Sequence, residues 1–120
     1  MARSGFVPRD DKRRHVLRDA WVGDAVLCLY ARELILREGG EVDGAWYTRM
    51  TSNQFLGQLG EPSEVEARIG RAYQGGGLAG AFAWMDENLL PLYRRQEAKR
   101  MKASGLLPRN PPVKNGLPSK

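Results

Sequence analysis

The segment DAWVGDAVLCLY, residues 19 to 30, places a carboxylate inside an apolar run. The residues three, four and seven positions from Asp24 are all apolar, so the spacing predicts that this side chain projects from the apolar face of a helix. A buried carboxylate costs on the order of several kcal/mol unless a cation, hydrogen-bond donors or a proton compensate it. The ordinary explanation is a set of backbone or hydroxyl donors, or an ion pair with Arg32.

A second carboxylate of this kind is Glu66, in the segment SEVEARIGRAY. One turn further on, its neighbours are apolar or small, whereas Glu64 and Arg68 belong to a polar stripe on the same helix. The ordinary explanation is a capping box, in which the Glu66 side chain reaches back to the amide of Ser63.

Glycines accompany both carboxylates, since Gly23 precedes Asp24 and Gly70 follows Glu66 by one turn. Each glycine allows a neighbouring helix to approach closely, so two helices that cross here would bring the carboxylates together. Hard oxygen ligands suit Mg²⁺ or Mn²⁺, which hold phosphate and activate water. The pattern therefore indicates a site for metal-dependent phosphoryl chemistry.

The elements that must position these side chains are helices. Asp10 or Asp11 is predicted to cap a helix that runs to about Arg37, with an irregularity at Gly23 and a stop at Gly39–Gly40. From residue 20 to residue 36 this helix is apolar nearly all round, which predicts a position in the centre of the domain or between subunits.

The remaining segments also favour helices. One or two short helices follow a turn-rich loop, with Ser52 or Asn53 as a cap. A longer helix opens at Pro62–Ser63 and ends at Gly75–Gly77, and a last one runs from Leu78 with a kink at Pro91. No strand and no internal repeat is evident, so the predicted fold class is all-α.

The composition is that of one small domain, with 120 residues of which 42% are hydrophobic and 28% are charged. We expect a basic arm over residues 1–9, the helical domain over 10–103 and a proline-rich basic tail over 104–120. Cys28 is the only cysteine, which excludes an intrachain disulfide and favours a reducing compartment. Without a signal-peptide core or a membrane-spanning run, the expected location is the cytoplasm and no membrane partner is expected.

Basic side chains concentrate at the two ends. Residues 1–18 carry six basic and two acidic side chains and residues 94–120 carry eight and one, which leaves a net −6 between them against a total of +5. This distribution is typical of termini that contact a polyanion, although solvated charges would give the same composition. The residues expected to contact RNA phosphates are Arg94, Arg95, Lys99, Arg100 and Lys102.

Three segments together resemble the ribonuclease III family. WVGDAVLCLYARELIL resembles the family's signature helix, and VEARIGRAYQGGGLAGAFAWMDENLLPLY is similar to its second acidic helix. TSNQFL, residues 51 to 56, is similar to the segment between them. The blocks follow the family's order and span roughly residues 17 to 93.

The resemblance implies an all-helical homodimer that cleaves double-stranded RNA during RNA processing with Mg²⁺ or Mn²⁺ as cofactor. It places Asp24 and Glu66 on metal-linked acidic positions, as catalytic residues. It also places Trp21 on the aromatic position that inserts into the partner subunit. The alternative for Trp21 is an ordinary core tryptophan.

Two acidic positions of the family pattern are occupied by other residues here. Ala20 stands one turn before Asp24, as in the compact mini-ribonuclease III branch, and Ser63 stands three residues before Glu66. Ser63 and Glu64 are therefore auxiliary candidates, and Glu64 or Glu61 could substitute for the family's acidic residue at position 63 only if the helix began elsewhere. The alternative function is a catalytically impaired dimer that acts as a structured-RNA-binding or ribonucleoprotein-assembly protein. A small helical interaction protein is a more remote alternative.

Overall fold

A computed structural model describes residues 8–105 of the chain, and their side chains from residue 11 onward. Over this range it contains helices only, which confirms the predicted all-α class. The helices are α1 (Pro8–Gly39), α2 (Gly44–Thr51), α3 (Asn53–Leu56), α4 (Pro62–Asn88) and α5 (Leu90–Ala103). Most of the predicted N-terminal arm and most of the predicted tail lie outside the described residues.

Helix α1 is one continuous helix of 32 residues. It begins at Pro8, two or three residues before the predicted cap at Asp10 or Asp11, because proline has a helical φ and needs no partner for an N–H. It ends where predicted, since Gly40 adopts the left-handed conformation with φ 79°. The irregularity predicted at Gly23 is absent from α1, and the role of this glycine lies in packing instead.

The two short helices begin at capped positions. The Asp43 side chain accepts a hydrogen bond of 3.0 Å from the Trp46 backbone N–H at the start of α2. The Ser52 hydroxyl accepts one of 3.1 Å from the Phe55 backbone N–H, so Ser52 is the cap of α3 and Asn53 is its first residue.

Helix α4 begins at Pro62 with Glu61 as its N-cap. It divides at Gly77, whose φ of 68° and ψ of −167° are not helical, so the predicted break at the glycine run is confirmed. The predicted last helix is also interrupted, because α4 ends at Asn88 and α5 begins at Leu90. Pro91 lies in the first turn of α5, where its missing N–H costs nothing.

The described residues divide into two compact units, and the division in the chain falls between Leu89 and Leu90. In the first unit α1 packs mainly against α4, with α2 and α3 completing the core. Its fully buried side chains come from all four helices and include Leu27, Leu34, Met50, Phe55, Leu56, Val65, Ile69 and Met85. No helix in residues 8–105 is both long enough and apolar enough to cross a membrane.

Candidate metal centre

The site is built where α1 crosses α4, at the two glycines. A Cβ atom on Gly23 would collide with the backbone carbonyl oxygen of Glu66, and one on Gly70 would collide with that of Asp19. The Gly23 backbone nitrogen lies 3.2 Å from the position of the missing Gly70 Cβ. The helices are therefore in backbone contact, which is the close approach that the two glycines predicted.

This contact sets Asp24 beside Glu66. Four effects together raise the pKa of Glu66 from 4.5 to about 7: burial, which is the largest, the charge of Asp24, a hydrogen bond with Asp24, and the charge of Glu61. A proton on Glu66 allows one carboxyl group to donate to the other. The structure thus brings the two predicted site residues together.

The capping-box explanation for Glu66 is wrong. Helix α4 starts at Pro62, so its cap is Glu61, whose Oε1 accepts from the Glu64 backbone N–H at 3.1 Å. The Glu66 side chain lies one turn further along and turns towards Asp24 instead.

Asp24 is exposed, and the prediction that it projects from a buried face is wrong. Helix α4 covers only one side of α1, so part of the apolar surface that surrounds Asp24 in sequence faces solvent. Leu17 is 46% exposed and Leu36 is 51% exposed. No charged side chain among residues 11–105 is buried, so the cost of a buried charge does not apply to this chain alone.

No arginine neutralises the pair. Among the side chains described, from residue 11 to residue 105, neither Asp24 nor Glu66 forms an ion pair. Arg32, the partner considered for Asp24, stacks on Tyr47. Arg71 binds Asp19 at 3.2 Å, and Gln74 also donates to Asp19, so that carboxylate belongs to a different surface. Within residues 11–105, the negative charge of the pair is therefore compensated by a proton at low pH and not by a cationic side chain.

The auxiliary candidates contribute unequally. Ala20 is 6% exposed and apolar, so its position supplies no ligand. Ser63 is half-buried and Glu64 is exposed in the first turn of α4, and neither affects the pKa of Glu66. Glu61 does affect it, which makes Glu61 the third carboxylate of this region. Pro62, a typical first residue of a helix, was the sequence signal for a cap at Glu61. The described residues hold no group of three or more metal-ligating side chains.

A second group of side chains that the sequence did not indicate adjoins the pair. A hydrogen bond with the Cys28 thiol, together with burial, raises the pKa of the Tyr47 hydroxyl, while the charge of Arg32 lowers it and that of Asp24 raises it. Tyr47 lies on α2, so this contact between helices has no local sequence signature.

Trp21 is 82% exposed, so the core-tryptophan alternative is wrong. It borders an open groove of about 550 Å³ on the first unit, whose walls are almost entirely apolar. The groove is lined by Trp21, Val22, Ala25, Val26, Leu29, Tyr73 and Leu78.

The predicted RNA-contacting residues Arg94, Arg95, Lys99, Arg100 and Lys102 lie on α5. All are exposed except Arg100, which is half-buried. Its guanidinium donates two hydrogen bonds of 3.2 Å to the two carboxylate oxygens of Glu97. His15 lies on the exposed first half of α1, 3.6 Å from Asp11, and has no part in the carboxylate pair.

The raised pKa of Glu66 predicts a specific pH dependence of stability. The folded protein binds a proton that the unfolded chain releases near pH 4.5, so this contribution is present below that pH and is lost as the pH rises towards about 7. Thermal unfolding without metal, at pH 4.5 to 8, should therefore show a loss of stability that Glu66→Gln removes. Parallel curves for the two proteins would contradict the shared proton.

Comparison of the chain with protein-family models, with curated proteins and with solved structures found no match.

Proposed function

We propose that this protein is a ribonuclease III-like endoribonuclease that hydrolyses phosphodiester bonds of double-stranded RNA with Mg²⁺ or Mn²⁺. The observation that carries the proposal is the placement of Asp24 beside Glu66 across a glycine-lined crossing, where no arginine of residues 11–105 pairs with either carboxylate. The order of the three resembling segments is the second support. A reducing compartment suits the single cysteine, and we place the protein in the cytoplasm.

The donor set fits a hard cation. Mg²⁺ is commonly held by one or two carboxylates, with water and substrate phosphate completing its coordination, so two protein ligands are sufficient. Asp24 is open to solvent and Glu66 is partly so, which gives substrate access to both. A bound divalent ion supplies an activated water and stabilises charge on the phosphate.

The side chains themselves hold and release protons. Near neutral pH Glu66 is partly protonated, and a cation that replaces this proton leaves two carboxylates as ligands. Metal binding should therefore strengthen as the pH rises through about 7. The basic residues of α5 and of the first half of α1 would bind the RNA backbone, since A-form duplex is recognised through phosphates and 2′-hydroxyls.

We propose a homodimer in which Trp21 of each subunit enters the apolar groove of the other. Trp21 is 82% exposed and lies beside an apolar groove, so a large apolar surface is in contact with water. A partner subunit that covers this surface would lower the free energy. Such a dimer would carry two sites, one for each RNA strand.

Trp21→Ala should convert the dimer into monomers, because an aromatic anchor at an interface commonly contributes about 2 kcal/mol or more. Sedimentation velocity at micromolar concentration measures this directly. Val42→Ala is the matched control, since Val42 is 88% exposed and does not line the groove. A Trp21→Ala dimer as stable as the control would exclude this anchor.

The second candidate is a non-catalytic dimer that binds structured RNA or assembles ribonucleoprotein. Ala20 and Ser63, which stand at two acidic positions of the family pattern, favour it. Against it, the carboxylate pair is retained although the repulsion between its members raises the pKa of Glu66. A protein that had lost the catalytic function would gain stability if either carboxylate were replaced by an uncharged residue.

Incubation of the purified protein with long duplex RNA separates the two candidates. Cleavage with Mg²⁺ or Mn²⁺, absent in chelator, is expected for the nuclease. Binding without cleavage in either metal would select the second candidate.

A further inference from the structure

A cluster of Cys28, Arg32 and Tyr47 adjoins the carboxylate pair and is not used by the site described above. The Arg32 guanidinium carbon lies 4.9 Å from the centroid of the Tyr47 ring. A hydrogen bond with the Cys28 thiol is the largest effect that raises the pKa of the Tyr47 hydroxyl, and the charge of Asp24 also raises it. Tyr47 therefore links Arg32 to the α1 face that carries Asp24.

Helix geometry relates Arg32 to the pair. Asp24, Cys28 and Arg32 follow one another at intervals of four residues, so they lie along one side of α1. Eight residues span about 12 Å of helix axis. With this separation along the helix axis, we expect Arg32 to contact a different phosphate from the one at the carboxylates.

Arg32 is available to an external anion. It is exposed, and within residues 11–105 it forms no ion pair with a carboxylate. Stacking on an aromatic ring restricts a guanidinium while its N–H groups stay free in their plane, where they match the two oxygens of a phosphate.

We propose that Arg32, held in place by Tyr47, binds a backbone phosphate of the RNA strand beside the one that reaches Asp24 and Glu66. This inference rests on the proposed function, since it takes the substrate to be RNA. Two adjacent carboxylates repel a polyanion, and a fixed cation on the same helix face reduces that repulsion and sets the register of the strand. Arg32 is thus a positioning residue.

The test measures binding of a short RNA duplex in chelator, where no cleavage occurs, between about 50 and 200 mM KCl. Arg32→Ala should weaken binding about tenfold at low salt and reduce the slope of log affinity against log salt by about 0.9, the value for one phosphate contact on a duplex. Arg32→Lys should keep the slope, because it keeps the charge. Arg37→Ala, which removes an exposed arginine of α1 that is not stacked on Tyr47, should change the affinity less than twofold.

Tyr47 variants test the support for Arg32. Tyr47→Phe keeps the ring and should bind RNA like the wild type, whereas Tyr47→Leu removes the stacking surface and should lose about as much affinity as Arg32→Ala. Equal binding by Tyr47→Phe and Tyr47→Leu would overturn the positioning role.

The outcomes separate this inference from the nuclease proposal. Wild-type protein that cleaves RNA while Arg32→Ala keeps wild-type affinity and salt slope would overturn the role of Arg32 alone. Protein that binds RNA with an Arg32-dependent slope and never cleaves would overturn the nuclease proposal alone. Protein that does not bind duplex RNA would overturn both.

Discussion

Asp24→Asn should abolish metal-dependent RNA cleavage while the protein remains folded. A catalytic divalent ion contributes several kcal/mol of transition-state stabilisation, and each ~1.4 kcal/mol is a factor of ten in rate, so the expected loss is about 10³-fold. Asparagine keeps the shape of the side chain and removes the charge that a hard cation requires. Single-turnover cleavage of a labelled duplex at saturating Mg²⁺ measures the effect.

A second readout confirms that the Asp24 substitution acts on the pair. Asp24 raises the pKa of Glu66 through its charge and through a hydrogen bond, so in Asp24→Asn this pKa should fall below about 7 towards its usual value. Titration of the Glu66 carboxyl by NMR detects the shift.

Glu33→Gln is the matched control for Asp24→Asn, because it removes an exposed carboxylate of α1 that is not among the groups that raise the pKa of Glu66. It should cleave like the wild type. If Asp24→Asn cleaved as fast as Glu33→Gln, neither a metal ligand nor a catalytic role could be assigned to Asp24.

Gly23→Ala should cause the largest loss of stability of any single methyl addition in the first unit. Its Cβ would overlap the backbone carbonyl oxygen of Glu66, and a backbone atom in a packed helix cannot yield as a flexible side chain can. Overpacking of this kind costs about 3 kcal/mol or more, which exceeds the roughly 1 kcal/mol that alanine gains over glycine in a helix. Gly70→Ala should cause a similar loss of stability, because its Cβ would overlap the backbone carbonyl oxygen of Asp19.

Gly76→Ala is the control for the crossing, since a Cβ there has no atom within 4 Å. Urea denaturation should give a free energy of unfolding for Gly76→Ala close to the wild-type value and far above that of Gly23→Ala. Similar values for the two variants would mean that α1 and α4 do not cross at Gly23. Because the same crossing places Asp24 beside Glu66, Gly23→Ala should also lower the pKa of Glu66.

Much of the fold follows from local sequence signals. Glycine and proline set the ends of α1, the break in α4 and the start of α5, because these residues alone relieve or impose particular backbone angles. Ser52 marked the start of α3 for a similarly local reason. The capping box put the N-cap of α4 two residues too late, at Ser63 instead of Glu61, since Pro62 and Ser63 are both common at helix starts. That shift decided whether Glu66 was a cap or a site residue.

The sequence by itself also determined that two carboxylates would meet, because each lies near a glycine on a helix with an apolar face. Only the tertiary structure decided how they meet: Asp24 is open to solvent, Glu66 carries a raised pKa, and Tyr47 of α2 packs against Arg32 on α1. The physical reason is that exposure and pKa depend on which side of α1 another helix covers. The spacing of residues within α1 does not determine which side is covered. The contact of α1 with α4 at Gly23 and Gly70 determines it.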